Sequence, residues 1–365
     1  MMKKMRIATM ITGHFTCPPP KGVIYAPMLI LEAIAEGLAK KGHKIFFFGP
    51  EGSKLKTVKA ISKGLLPLYS GKQPGSKNHP ILNDPNIDQA KVANLWDQYL
   101  ISLIYREALK GKFDLIHIHP ADRALPFGLA IKKIPVVYTL HDPIYPWRAE
   151  VFKMFQTKNQ YYISISDAQR KPAPDLNWAA TIYNGLDLKK FPFSNKPKNQ
   201  LLFLGRILPT KGPDIAIRAA KFAKENLIIA GAPNKGNYWE KKIKPWLGKD
   251  IKYVGNIPYE KIFRYYGKAK ALLCPIRWEE PFGLTFIEAM ACGTPVIAYE
   301  RGSAKEVIKN GKTGFIVKNI KEMAEAIKKI GRIDRYECRK WVEQKFTMEK
   351  MVDNYEKVFY KILKH

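Results

Sequence analysis

Apolar residues fall along this chain in short blocks, and the stretches between the blocks repeat their apolar positions at helical spacing. Arg6–Thr12 reads as a first strand, and residues 27–41 as a helix with Leu31, Ile34, Ala35 and Leu38 at i, i+3, i+4 and i+7. Gly42 ends that helix and His43–Gly49 forms a second strand. Residues 53–88, rich in Gly, Pro, Lys and Asn and without a period, predict a long functional or mobile loop. Helix 90–110 follows, then strand Asp114–His119, helix 122–132, and strands Pro135–Leu140, Tyr161–Ser166 and Ala179–Tyr183. A polar, Pro/Gly-punctuated segment runs from Asn184 to Pro197, after which the rhythm restarts. Strands at 201–205, 226–230, 251–255, 271–275 and 295–299 then alternate with helices at 213–224, 238–246, 259–268 and 284–292. Helices near 320–330 and 335–344 lead to a last one, 347–363, with Met351, Tyr355, Val358, Phe359 and Ile362 on one stripe.

Strands alternating with helices imply parallel sheets covered on both faces. The expected organisation is an N-terminal domain over 1–187, a C-terminal domain over 188–346 and a final helix, 347–365, crossing back to the first domain. The length of 365 residues suits two such domains, and 46% hydrophobic content excludes a disordered chain. The longest apolar runs, such as Ile45–Gly49, are strand-sized and far from the ~18–20 residues of a membrane span. Met1–Met10 leads directly into Gly13, His14 and Pro18–Pro20, unlike a secretory leader. Cys17, Cys274, Cys292 and Cys338 stand far apart, which predicts neither a disulfide framework nor a zinc site. A cytoplasmic protein is expected.

The formal charge of +30, from 62 basic and 32 acidic residues, first suggests nucleic acid or an anionic membrane. Up to Asn195 the chain holds 27 basic and 14 acidic residues, and beyond it 35 and 18, so both halves share the excess. There is no basic tail and no arginine-rich block, so most of the lysine reads as solvated surface and no specific nucleic-acid partner is expected. A remaining share would draw the chain peripherally to the inner face of an anionic membrane.

Two doubly wound domains bind ligands at the carboxyl ends of their strands, where a central cleft is expected. Four places there carry chemistry. Gly205-Arg206 and Lys211-Gly212 follow the strand at 201–205; two cations close in sequence suit a diphosphate, and Asp214 is placed to cap the next helix. Glu280-Pro281-Phe282-Gly283-Leu284-Thr285 opens a helix whose amides suit phosphate or sugar oxygens. Glu288, one turn on amid apolar neighbours, needs hydrogen-bond donors, which ribose hydroxyls would supply. His119 ends its strand as a hydrogen-bonding or acid/base residue, with His117 packed behind it and Asp122 a possible helix cap. His141-Asp142 repeats that arrangement after the next strand. No G-x-G-x-x-G follows the first strand, no P-loop or G-x-S-x-G occurs, and no D-x-D offers a metal its short ligand pair.

Arg206…Lys211 with Glu280-Pro-Phe-Gly…Glu288-Ala-Met-Ala-Cys-Gly-Thr-Pro resembles the donor-binding half of retaining glycosyltransferase family 4, and the likeness runs from Met5 to the final helix. Gly42-His43, Asp114–His119, Asn184-Gly185-Leu186-Asp187 and Gly311–Phe315 belong to it. The resemblance implies the GT-B fold: two Rossmann-like domains facing a central cleft, the first on the acceptor side and the second binding a nucleotide sugar. It implies a metal-independent, retaining hexosyltransferase without cofactor, with a UDP-sugar favoured as donor and GDP-mannose next. The acceptor would be a hydroxyl of a sugar, a lipid-linked sugar or a small molecule. Arg206 and Lys211 would hold the diphosphate, Glu280 the transferred sugar and Glu288 the ribose. Gly205, Phe282, Gly283, Leu284 and Thr285 would line sugar and diphosphate, Gly255 and Asn256 the base, and His119 the reacting sugar. Gly13 and Gly22 would approach the donor from the first loop, with Val23 where the family often has a second glycine. Alternatives are an epimerase or phosphorylase on the same fold, or a non-catalytic basic scaffold.

Overall fold

The computed structural model describes residues 3–20, 23, 25–70, 78–232 and 236–364. The chain divides into two compact units, one of Met1–Ile165, Arg170–Tyr183 and Glu349–His365, the other of Ser166–Gln169 and Asn184–Met348.

The first unit holds a seven-stranded sheet of β1 (Arg6–Met10), β2 (Lys44–Phe48), β3 (Ala60–Ile61), β4 (Leu115–Ile118), β5 (Val136–Thr139), β6 (Gln160–Ser164) and β7 (Trp178–Thr181). Its order is β3-β2-β1-β4-β5-β6-β7, and every pair is parallel. The strand order reverses at β1, so a crevice opens at the carboxyl ends of β1 and β4. β4 and β5 are buried along their whole length, as strands covered on both faces must be. Leu100 and Ile104 of the helix Gln89–Leu109 and Phe152 of the helix Pro146–Phe155 pack with Ile116, Val136 and Tyr162 of the sheet into one core. Asp88 caps the first of these helices, accepting the amides of Ala90 and Lys91.

The helix Met348–Leu363 completes this unit. Lys41 Nζ pairs with its Asp353 at 2.7 Å and Glu356 at 2.8 Å, and His43 Nε2 meets Glu356 Oε1 at 2.8 Å. Its apolar stripe is as expected, with Met351, Tyr355, Phe359 and Ile362 buried.

The second unit holds six parallel strands, β8 (Leu201–Leu204), β9 (Leu227–Ala230), β10 (Ile251–Tyr253), β11 (Leu272–Cys274), β12 (Val296–Tyr299) and β13 (Gly314–Val317), in the order β10-β9-β8-β11-β12-β13. Here the reversal falls at β8, between β9 and β11. Two doubly wound parallel α/β units are therefore present, as the pattern predicts.

Several elements differ from expectation. The helix expected over 122–132 is only Ala121–Gly128, and the segment 238–246 is a π turn, Trp239–Ile243, followed by a 3₁₀ turn, Lys244–Trp246. Pro245 has no N–H to continue an α-helical ladder. Within 53–88, the described residues include β3 and the 3₁₀ turn Pro80–Asn83 rather than loop alone. The helix Pro146–Phe155 and strand β13 were not legible as such. Among the described residues no helix is long and apolar enough to cross a membrane.

Candidate functional site

In the second unit the polar residues gather around the carboxyl ends of β8 and β11. After β8 the chain passes Gly205 and Arg206, makes a 3₁₀ turn at Pro209–Lys211 and enters the helix Pro213–Ala223 through Gly212 at φ +74°. A Cβ at Gly212 would collide with the Pro275 carbonyl, so glycine is required both for the left-handed backbone and for the close approach. Arg277 stitches the two loops together: its N–H donates to Thr210 O at 2.8 Å and its Nη1 to Pro209 O at 3.2 Å. This brings Lys211 Nζ to 2.7 Å from Glu280 Oε2, which also accepts Trp278 Nε1–H at 3.0 Å. The ammonium lies 4.6 Å from the centroid of the Trp278 ring. Both charged side chains are mostly buried, at 21% and 13% exposure. Arg206 is exposed and, among the described residues, enters no ion pair.

Asp214 does not cap the following helix as expected. Gly212 occupies the cap position, and the Asp214 carboxylate accepts Tyr238 Oη–H at 2.6 Å and Arg277 Nη2–H at 2.7 Å. The adjacent loop is held from behind, since Ser303 N–H donates to Glu280 O at 3.0 Å and Ser303 Oγ to Phe282 O at 2.7 Å. Gly283, at φ +80°, starts the helix Leu284–Ala291, and its Cβ would sit 2.5 Å from the Phe286 ring. At the start of that helix Phe286 N–H donates to Gly283 O at 2.9 Å, while the amides of Leu284 and Thr285 precede the first intrahelical bonds. Phe282 is buried, edge-on to Phe346.

Glu288, on this helix, is buried, and its two oxygens are already engaged: Tyr259 Oη–H donates to Oε1 at 3.2 Å and Tyr266 Oη–H to Oε2 at 2.8 Å. Ribose hydroxyls are therefore not needed to account for a carboxyl in this apolar position. Burial pushes the group up to about 7, against the two hydroxyl donors, which lower it. Gly255, at φ +78°, accepts Gly231 N–H at 2.8 Å at the ends of β10 and β9; Asn256 beside it is exposed. These two lie on the β9–β10 side of β8, while Lys211 and Glu280 flank β8 and β11.

In the first unit, His117 and His119 share one face of β4, their ring centroids 4.5 Å apart. His117 Nε2 lies 2.8 Å from Thr139 Oγ1, which is 3.1 Å from Tyr355 Oη. His119 Nδ1 lies 2.6 Å from His141 Nε2, with the two rings stacked within 8° of parallel. Only one nitrogen of that pair can donate, so at least one of the two imidazoles is neutral. Burial holds all three below their ordinary value, His117 at about 3 and His141 at about 4, with His119 well below it. His119 Nε2 is buried without a hydrogen-bond partner among the described residues. Asp122 does not cap its helix; it accepts Arg148 Nε–H at 3.0 Å.

Gly13 N–H donates to Asp97 Oδ1 at 2.7 Å, and the same oxygen accepts Thr12 Oγ1–H at 3.0 Å. Asp97 is fully buried and ion-paired with Arg123. The Gly13 amide is thus engaged within its own unit. Gly22 lies outside the described residues. Sequence reasoning missed Asp97, Arg123, Trp278, Tyr259 and Tyr266. Asp97 carried a readable signal, as an acid amid Ala93, Leu100, Ile101 and Ile104 on the buried face of its helix. The tyrosines carried none without knowing which helix lies beside 284–291.

Comparison with known proteins gives two family matches that overlap only at residues 187–190: Glycosyltransferase Family 4 over residues 30–190, and Glycosyl transferases group 1 over residues 187–347. The uncharacterized glycosyltransferase MJ1178 of Methanocaldococcus jannaschii is 29% identical over 84% of this chain and 91% of its own. Spore coat protein SA of Bacillus subtilis is 25% identical over 98% of this chain and 100% of its own. Among solved structures, the sucrose-phosphate synthase of Thermosynechococcus elongatus superposes with a TM-score of 0.76 at 19% identity, covering 98% of this chain and 99% of the other. The Anabaena protein Alr3699/HepE in complex with UDP-glucose gives 0.68 at 18% identity, covering 98% and 100%. The fold is that of GT-B glycosyltransferases.

Proposed function

Because the chain belongs to the glycosyltransferases that join a family 4 half to a group 1 half, we propose that it moves a hexose from a nucleoside-diphosphate sugar to a hydroxyl acceptor with retention at the anomeric carbon and without a metal ion. The observation that carries this reading is the Lys211–Glu280 pair beside Trp278 at the strand-order reversal of the second unit. A cation there suits a departing diphosphate, and a carboxylate accepts the hydroxyls of a sugar. We assign Lys211 and Arg206 to the diphosphate and Glu280 to the transferred sugar. The stretch from Phe282 to Thr285, with Gly205, is assigned to the sugar and phosphates, Glu288 to the ribose, and Gly255-Asn256 to the base. The first unit is assigned to the acceptor, with His119 as a neutral hydrogen-bonding residue. Gly13 is assigned a structural part instead, since Asp97 holds its amide. UDP is favoured as the nucleotide because the related Anabaena fold was solved with UDP-glucose.

In the reaction the bond from the anomeric carbon to the diphosphate oxygen breaks while the acceptor oxygen bonds to the same face of that carbon. The acceptor's proton passes to the leaving phosphate oxygen. Side-chain cations and helix-terminal amides stabilise the charge that develops on the diphosphate. The test is a thermal-shift panel of UDP, GDP and ADP sugars with and without EDTA, followed by NMR of the product's anomeric configuration. One nucleotide should stabilise the protein irrespective of chelator, and the product should keep the donor's configuration. Stabilisation by none of them, or an inverted product, would overturn the reading.

A further inference from the structure

The Glu288 carboxyl is built into its helix with unusual provision. Tyr259 sits in the 3₁₀ turn Tyr259–Lys261 and Tyr266 lies seven residues on, in the helix Ile262–Lys268, so both point to one face. Their hydroxyls reach different oxygens of the same carboxyl, at 3.2 and 2.8 Å. An ionised carboxylate accepts about four hydrogen bonds, two per oxygen. The tyrosines take one on each, which leaves one on each. That is the number and division that two neighbouring hydroxyls require. A buried acid serving packing alone would be better replaced by an apolar side chain of its size.

Resting on the donor assignment above, we infer that Tyr259 and Tyr266 are positioning residues for the nucleotide. Each fixes one Glu288 oxygen so that its remaining acceptor site takes one hydroxyl of the donor's ribose, which makes the site selective for ribonucleotide over 2′-deoxyribonucleotide donors. The other titratable groups close by are Cys292, further along the helix and pushed up to about 12 by burial, and Cys274, which bears on Tyr266. Asp187 bears on Tyr259, while Arg335 and Arg339 bear on Cys292. Glu288 itself is governed by burial and by the two hydroxyls. Removing a hydroxyl removes a donor to the charged form, so the pH at which the carboxylate appears moves up.

The experiment compares wild type, Tyr266→Phe, Tyr259→Phe and Glu288→Gln with the stabilising nucleotide sugar and its 2′-deoxy counterpart, at pH 6 to 9. Each tyrosine variant should raise the donor KM about fivefold near neutral pH, the worth of one hydrogen bond, with a smaller change in kcat. The rise should shrink toward pH 9, and the preference for the ribose donor should fall in both variants and most in Glu288→Gln. Tyr259, which is half-buried, keeps the test open if loss of the fully buried Tyr266 hydroxyl unfolds the protein. Folded tyrosine variants with wild-type donor KM, pH profile and ribose preference would overturn the inference alone. A wild-type protein that no nucleotide sugar stabilises would overturn the donor reading, and the inference with it.

Discussion

The two sheets present polar groups at their strand-order reversals in opposite ways. In the second unit Lys211 and Glu280 are oppositely charged, partly exposed and paired at 2.7 Å, with an indole donor and an aromatic face beside them. In the first unit His119 stacks on His141 with His117 tilted against it, and burial holds all three below the ordinary imidazole value. A charged pair near solvent can exchange its internal partner for a ligand's charge without leaving a buried ion. A buried neutral imidazole offers a hydrogen bond but no charge. The contrast is between a charge pair at the strand ends of one unit and buried, neutral hydrogen-bonding groups at those of the other.

The sharpest way to break this contrast is to remove the charge pair. Lys211→Ala and Glu280→Gln should each lower kcat/KM about 10²–10³-fold, as loss of a transition-state charge partner does. Folding stability should fall by about 3 kcal/mol in Lys211→Ala, because the pair is mostly buried and the variant leaves the Glu280 carboxylate without its cation. Steady-state kinetics with thermal melts check both; near-wild-type rates in the two folded variants would remove the pair from the chemistry.

Next in size is Glu288, an acid of the second unit that is buried as the histidines are. Its carboxyl is raised from 4.5 to about 7 by burial. The folded state therefore holds its proton more tightly than the unfolded chain. The resulting stabilisation is complete below pH 4.5 and is lost as the pH rises through 7, a change on the order of 3 kcal/mol. Urea unfolding at pH 4.5 and pH 8.5 should show wild type losing more stability than Glu288→Gln by about that amount. Equal losses in the two proteins would mean that the carboxyl titrates normally.

For the histidines, His119→Asn should reduce kcat/KM by about 30-fold, or about 2 kcal/mol, the cost of leaving a buried hydrogen-bond partner unsatisfied. Because burial holds His119 neutral, wild-type activity should have no limb between pH 6 and 8 that disappears in the variant. A limb in that window abolished by His119→Asn would show an imidazole that charges, and would erase the contrast with Lys211.

Much of this was legible from the chain alone, for reasons that differ by residue. Parallel strands buried on both faces read as plain apolar runs, so β1, β4, β8 and β12 stand out. β13 begins with glycine and is half exposed along Phe315 and Ile316, which weakens that signal. The loops holding Lys211 and Glu280 were legible because glycine, proline and charge crowd directly behind strands. The partners of those residues were not, because they depend on tertiary approach. Asp214 and Asp122 each sit where a helix cap is reasonable, yet an arginine reached each first, Arg277 and Arg148, and a bidentate-capable guanidinium outcompetes a terminal amide. Glu288 reads from its apolar neighbours as a buried acid needing donors, but Tyr259 and Tyr266 carry no signal until the turn and helix that hold them are placed.

The smallest effect tests whether the histidine group is held from behind. Tyr355 donates or accepts one hydrogen bond with Thr139 Oγ1, the hydroxyl that also meets His117 Nε2. Tyr355→Phe keeps the ring, which packs against His117 and Phe359 with centroids 5.4 and 5.8 Å away, and deletes only that bond. The loss should be about 1 kcal/mol, the net worth of a buried hydrogen bond, because Thr139 retains its histidine partner and leaves no orphaned hydroxyl. A domain of this size should then melt about 2–4 °C lower. Since His119 pairs with His141 and not with this chain of hydroxyls, kcat/KM should stay within about threefold of wild type, well short of the loss from removing a catalytic hydrogen bond. A large activity loss at unchanged stability would mean that the last helix sets the orientation of His119 through His117. Neutral hydrogen bonding in the first unit would then extend from the strand ends to the final helix, whereas the charge pair of the second unit is held by its two adjoining loops.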